Sequence, residues 1–261
     1  MDSFVLNRKI AYKGQIGSQR ERFCIDYITK KQKIFSELLK KQNEIALSKS
    51  ETITCKKGCP NCCVLFVGAS LQEGEVIVYY LYQNEDLLNH FIERYPLWRA
   101  KVEEAGDIFK KSQENQDNPS TTNISQAQFK RDNSGDLTKY ARQEIYCPFL
   151  RDGICSIYEV RPFLCAGLIV TTPNQWCSPL CPDYNKKKTY QTFSPDLYND
   201  ISFYYRELRE PVYSFMPIMV YKLLKNGISE MLKIPGLENL FYHYMNDSEV
   251  ITVINKSVVS P

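Results

Sequence analysis

Nine of the ten cysteines in this chain fall in two short windows, and that grouping constrains the fold more than any hydrophobic period does. The first window, 55-CKKGCPNCC-63, carries Cys55, Cys59, Cys62 and Cys63. The second runs from Cys147 through Cys155 and Cys165 to Cys177 and Cys181. Thiolates are soft ligands that favour zinc, copper(I) or iron–sulfur clusters. A short loop can converge several of them on one ion without a large ordering cost. Gly58 permits a sharp backbone turn, and Pro60, Pro148 and Pro182 each follow a cysteine directly. Cys-Pro steps occur around iron–sulfur ligands. Asp152-Gly153 is a tight-turn signal that predicts a small β-hairpin, CPFL folded back on ICSIY, with Cys147 brought near Cys155. Arg161-Pro162 then ends a turn and presents Cys165.

Other uses of the cysteines are weaker. Ten is an even number and allows five disulfides, but a chain of 261 residues does not need them to fold. The N-terminal MDSFVLNRKI has no basic region followed by an apolar run, so no secretory signal is expected. The expectation is a cytoplasmic protein with reduced thiols. Adjacent Cys62 and Cys63 cannot bond to each other without strain. Cys59-Pro-Asn-Cys62 is half of a zinc knuckle, but one zinc needs only four thiolates. The surplus favours a cluster, two metals or redox chemistry. Cys55-x3-Cys59-x2-Cys62 also has the three-cysteine spacing of radical-SAM enzymes. Against that reading stand Asn61, where those enzymes carry an aromatic, and the absence of alternating strands and helices for a barrel. Only two histidines are present, His90 and His243, and neither has a ligand partner at i+4. The centre is therefore expected to be thiolate-dominated.

The rest of the chain reads as mainly α, one helical domain (1–261) around two irregular cysteine-rich loops and a small hairpin. Residues 17–47 form a long amphipathic helix with Ile25, Ile28, Phe35 and Leu39 on one face. Cys24 reads as a small core residue. Val64 to Val67 suggests a short strand. Ser70 and Glu73 make a capping-box pair that opens a buried helix through about Gln83. Leu87 to about Lys111 continues as helix with a break at Pro96. Residues 112–137 are polar and read as a loop insertion that interrupts the metal-binding region, 51–182. Helices are also expected over 200–209, 212–225 and 235–246, with Gly227 as a cap and a small strand at 250–254. The composition, 43% hydrophobic and 24% charged, supplies ample core. A net charge of +3 and a pI near 8.2 are too mild to indicate nucleic acid or an anionic membrane as partner. No apolar stretch approaches the ~20 residues of a membrane span. Nothing in the sequence speaks to oligomeric state.

At CxxxCxxCC over Cys55–Cys63, followed by CPFLRDGICSIYEVRPFLC over Cys147–Cys165, the chain resembles the YkgJ-type cysteine-cluster family. These are zinc- or iron-chelating proteins that include flagellin lysine N-methylases. The resemblance covers about residues 51–170. It implies an iron–sulfur or iron/zinc centre drawn from Cys55, Cys59, Cys62, Cys63, Cys147, Cys155 and Cys165, with Cys177 and Cys181 as an additional pair. For the methylase members it further implies S-adenosylmethionine-dependent methyl transfer to lysine of a protein or peptide substrate. No Gly-x-Gly-x-x-Gly loop occurs, so the metal centre itself would have to hold that cosubstrate. The other expectation is a non-catalytic binding module held together by structural zinc. Glu73, Glu75 and Arg161 lie close to the cysteines as second-rank candidates, and Tyr158 and Trp176 as shields from water.

Overall fold

The computed structural model describes residues 14–106, 134–192 and 213–226. Most of the 112–137 insertion lies outside them, as do the expected helices at 200–209 and 235–246, Gly227, His243 and the strand at 250–254. The described chain is mostly helical, with strands paired only in twos. Helix α1 spans Gly14–Ser48, α2 Leu71–Gln83, α3 Glu85–Glu104, α4 Ser134–Ala141, α5 Phe163–Gly167 and α6 Met216–Asn226. Strand β1 spans Gly68–Ser70, β2 Leu150–Arg151, β3 Ile154–Cys155, β4 Leu168–Val170, β5 Thr189–Gln191 and β6 Tyr213–Phe215. The pairs β1–β6, β2–β3 and β4–β5 are all antiparallel.

Local chemistry explains the sharpest boundaries. Ser70 accepts the Glu73 N–H while the Glu73 carboxylate accepts the Ser70 N–H, a complete capping box at the start of α2. Asp152 and Gly153 both take positive φ, 51° and 75°, as a two-residue mirror-image hairpin turn requires. The predicted hairpin therefore forms, with Leu150 opposite Cys155.

Five expectations are corrected. The buried face of α1 is Phe23, Cys24, Tyr27, Lys31, Ile34 and Leu38, offset from the expected one. Ile25 is 48% exposed and Leu39 57%, while Ile28 and Phe35 are partly buried at the edge of the core. The strand lies at Gly68–Ser70 and not at Val64–Val67, because the turn begun in the cysteine loop continues through Leu65, whose N–H donates to the Cys62 carbonyl. Pro96 does not break α3, which runs through it to Glu104. Proline normally disrupts a helix by removing a donor and clashing with the preceding turn. Here Phe91, Tyr95 and Trp98 pin both sides of it into the core, and Pro96 itself faces out. Helix α6 starts only at Met216, since Tyr213–Phe215 pairs with β1. The last residues of the polar insertion, 134–137, are already helical.

Helix α2 is the central element and is buried over nearly its whole length. Helix α6 crosses it closely at Gly74, where an added Cβ would lie 2.8 Å from the Met219 sulfur. Stacked rings fill the remaining space, Phe91 on Phe149 at 4.3 Å, Phe66 on Phe215 at 3.9 Å and Tyr95 on Tyr221 at 3.9 Å. Phe149 sits two residues after Cys147, so its stack anchors the hairpin to α3. Among the described residues no helix is long and apolar enough to cross a membrane.

The offset of the α1 face has a direct test by urea unfolding. Ile34→Ala should cost about 2–5 kcal/mol, as for a filled core site. Ile25→Ala should stay within about 0.5 kcal/mol, as for a surface site.

Candidate functional site

The first cysteine loop is held by backbone bonds at both ends. At its start the Thr54 N–H donates to the Val170 carbonyl at 2.9 Å, and the Val170 N–H donates to the Cys55 sulfur at 3.2 Å. Gly58, at φ 86°, lets the loop reverse. Asn61 donates its side-chain N–H to the Asn174 carbonyl at 2.8 Å, tying the loop to the turn that carries Cys177. At its end the Cys147 N–H donates to the Cys63 carbonyl at 2.8 Å. The two windows, far apart in the chain, are thus joined directly.

The hairpin then presents the second set. The Cys147 and Cys155 sulfurs accept the N–H groups of Phe149 and Ile157, and both cysteines pack against the core. Cys165 lies on α5, whose first turn is held by the Pro162 carbonyl accepting the Cys165 and Ala166 N–H groups. Cys181 is half-buried on the loop after Cys177, its N–H donating to the Ser178 carbonyl. None of the ten cysteines forms a disulfide, and Cys24 is wholly buried in the core as expected.

Electrostatics sorts the thiols around Cys62. Burial pushes Cys147 up to about 12 and Cys165 well above the ordinary thiol value, and both feel the charge of Cys62. Burial also pushes Cys177 up to about 12, with Cys55, Cys62 and Cys59 adding to the effect. Cys55 and Cys155 are raised by burial and pulled back by the backbone N–H each sulfur receives. Cys62 and Cys63 hydrogen-bond each other, so the pair gives up its first proton easily and its second with difficulty. The Cys63 thiol holds Cys62 down to about 7, whereas Cys63 is pushed up. Cys62 combines an exposed surface with a thiol that is partly desolvated. The guanidinium of Arg161 favours the thiolates of Cys62, Cys155 and Cys165. It stacks on the Tyr158 ring at 3.7 Å and donates to the Tyr158 carbonyl at 2.7 Å. Tyr158 therefore supports a cation beside the thiols. The half-buried Trp176 lies in the turn just before Cys177.

Soft thiol donors, backbone N–H groups on three sulfurs and a nearby cation all fit a thiolate centre. The sulfurs do not yet form a closed shell. Among the described residues no three Cys, His, Asp or Glu side chains are close enough together to grip one ion. Compared with family models, curated proteins and solved structures, the chain matches none.

Several supporting roles escape a reading of the sequence. The Glu73 carboxylate accepts the Phe163 N–H at 2.6 Å and Lys31 Nζ at 3.2 Å, in addition to closing its capping box. It thereby fixes the start of α5, two residues from Cys165. Burial lowers the Lys31 pKa and Glu73 opposes that shift. The one visible signal for Lys31 is its place in the buried row Tyr27, Lys31, Ile34, Leu38. His90 Nε2 lies 3.2 Å from the Leu150 carbonyl and so braces the hairpin. Glu51, just before the first loop, accepts from Lys188 Nζ at 2.8 Å, Thr171 Oγ1 at 2.5 Å and the Tyr190 hydroxyl at 3.0 Å. It clamps the loop start to the β4–β5 sheet.

Glu73→Ala should cost about 3–5 kcal/mol in chemical unfolding, because it strands the buried Lys31 cation. Lys31→Met should cost clearly less, because Glu73 keeps its backbone donors and Ser70. The bonds from Lys188 and Thr171 hold the Glu51 carboxyl down to about 2, from an ordinary 4.5. A depressed carboxylate pKa stabilises the fold above the unfolded value and is lost as pH falls through the folded one. The difference in thermal midpoint between wild type and Glu51→Gln should thus be full above pH 4.5 and vanish toward pH 2.

Proposed function

We propose that this chain is a thiolate-based metal protein carrying an iron–sulfur cluster or iron and zinc. Its ligand pool is Cys55, Cys59, Cys62, Cys63, Cys147, Cys155 and Cys165, with Cys177 and Cys181 beside them. The observation that carries this reading is the bond from the Cys147 N–H to the Cys63 carbonyl, which joins two loops of ligand-like spacing. The backbone N–H groups aimed at the sulfurs of Cys55, Cys147 and Cys155 support it, since such bonds stabilise thiolates and tune metal centres. So does Arg161, a half-buried cation that offsets the negative charge of a thiolate group. The sulfurs would close on a metal by rotation about their side-chain bonds, releasing protons as they do.

On the resemblance at Cys55–Cys63 and Cys147–Cys165, the chain belongs with the YkgJ-type cysteine-cluster proteins. Its 261 residues then form one cytoplasmic domain, and its chemistry is modification of a protein or peptide. S-adenosylmethionine-dependent methyl transfer to lysine is the leading case. The second reading is a binding module with structural zinc and no chemistry of its own. It is favoured by the packing of Cys147 and Cys155 against the hydrophobic core, as in a closed structural site.

Anaerobic purification, metal and acid-labile sulfide analysis and an absorption spectrum separate the readings. Brown colour with sulfide sinks structural zinc alone. A colourless protein with one tightly held zinc sinks the cluster. A chain that holds neither metal ends both readings. Replacement of Cys62 or Cys165 by Ser should lower metal content; full retention in both variants removes them from the ligand pool. The catalytic form should bind S-adenosylmethionine when loaded with metal and fail to bind it when stripped.

A further inference from the structure

Three cations gather on two aromatic rings where the first cysteine loop meets the turn before α5. Lys31 Nζ and the Arg161 guanidinium each lie 5.5 Å from the centre of the Phe35 ring. The same guanidinium lies 3.7 Å from the centre of the Tyr158 ring, and Lys57 Nζ lies 5.0 Å from it. Two carboxylates pair with these cations, and neither pairs with the arginine. Glu73 accepts from Lys31 at 3.2 Å, and Glu159 accepts from Lys57 at 2.6 Å. Among the described residues no carboxylate pairs with Arg161, and no sulfur accepts a hydrogen bond from it. Its hydrogen bond runs from Nη1 to the Tyr158 carbonyl at 2.7 Å, inside its own turn. A guanidinium carries five N–H donors in a planar fork, so most of the fork of this half-buried side chain is open.

We infer that Arg161 is an anion-binding residue, whose open fork takes the carboxylate or phosphate group of a small ligand beside the first cysteine loop. The inference goes beyond metal binding and needs no metal. Guanidinium and oxyanion match in shape, because two parallel N–H groups meet two oxygens. Stacking on Tyr158 engages a face of the guanidinium and leaves its edge for hydrogen bonds. The rings and the Tyr158 carbonyl already hold the side chain in place, so less of its rotamer freedom is lost on binding. Lys57, exposed over the same ring, adds to the positive field that an arriving anion meets. Lys57 lies in the first cysteine loop, and Arg161 precedes Cys165 by one turn of chain. An anion seated between them brings the rest of its ligand to the cysteine region.

The test is arginine modification by phenylglyoxal on the full chain, kept reduced, with the rate at each site read by peptide mass spectrometry. Phosphate and succinate are the anions, and sodium chloride at equal ionic strength is the control. Phosphate or succinate should slow modification of Arg161 saturably and leave Arg151, an exposed arginine on the hairpin, unchanged. The anion that protects at the lower concentration tells phosphate from carboxylate. Arg161→Gln should raise the dissociation constant of that anion about tenfold or more, read by titration calorimetry. Arg161→Lys should raise it less, because the charge stays while the fork is lost. Equal slowing of both arginines, or none at Arg161, overturns the inference. Unchanged affinity in Arg161→Gln does the same. None of these readouts depends on metal content, so their failure leaves the metal reading standing.

Discussion

The buried Glu73 carboxylate is the contact on which the rest of the arrangement depends. Removing a carboxylate from water costs several kcal/mol unless its oxygens are well supplied with partners. Here they accept from two backbone N–H groups, the Ser70 hydroxyl and the Lys31 ammonium. These donors belong to the α2 N-terminus, the α5 start and the middle of α1. Three elements distant in sequence must therefore come together for the charge to be tolerated. Arg20 and Glu75 form a second buried ion pair between α1 and α2. The two pairs set the register of the long helix against the central one, and α5 delivers Cys165 from the same junction.

Above this base the cysteine loops are positioned mainly by backbone hydrogen bonds. That is the economical way to hold a loop with little apolar surface. Every buried N–H must find an acceptor, and sulfur serves for Val170, Phe149 and Ile157. Burial favours neutral thiols, whereas these N–H groups and Arg161 favour thiolates. The balance pushes Cys147, Cys165 and Cys177 up and lets Cys62 fall to about 7. A metal would tip that balance by replacing protons, which couples its binding to pH.

Legibility followed the range of the interaction. The capping box at Ser70 and Glu73 and the hairpin at Asp152-Gly153 were readable because each is decided within four residues. The convergence of Cys147 and Cys155 followed from that turn. The face of α1 was misread because Lys31 and Gln42 occupy buried positions that polar residues seldom hold. Lys31 meets Glu73, and Gln42 donates to the Ala166 carbonyl and Thr192 hydroxyl, both at 2.9 Å. Neither partner is visible from the helix itself. Pro96 was misread for the same reason, since aromatic packing from elsewhere holds α3 together across it.

The sequence by itself determined that this is a mostly helical chain with nine cysteines gathered in two short windows, because composition, helical periodicity and turn signals are local properties. It also determined which cysteines could meet through a short turn. Only the tertiary structure decided that Cys63 stands beside Cys147 while Cys55 stands beside Val170. The Cys147–Cys63 and Cys55–Val170 bonds join partners that are far apart in the chain. Such pairings are set by the packing of whole elements, and no local pattern encodes them.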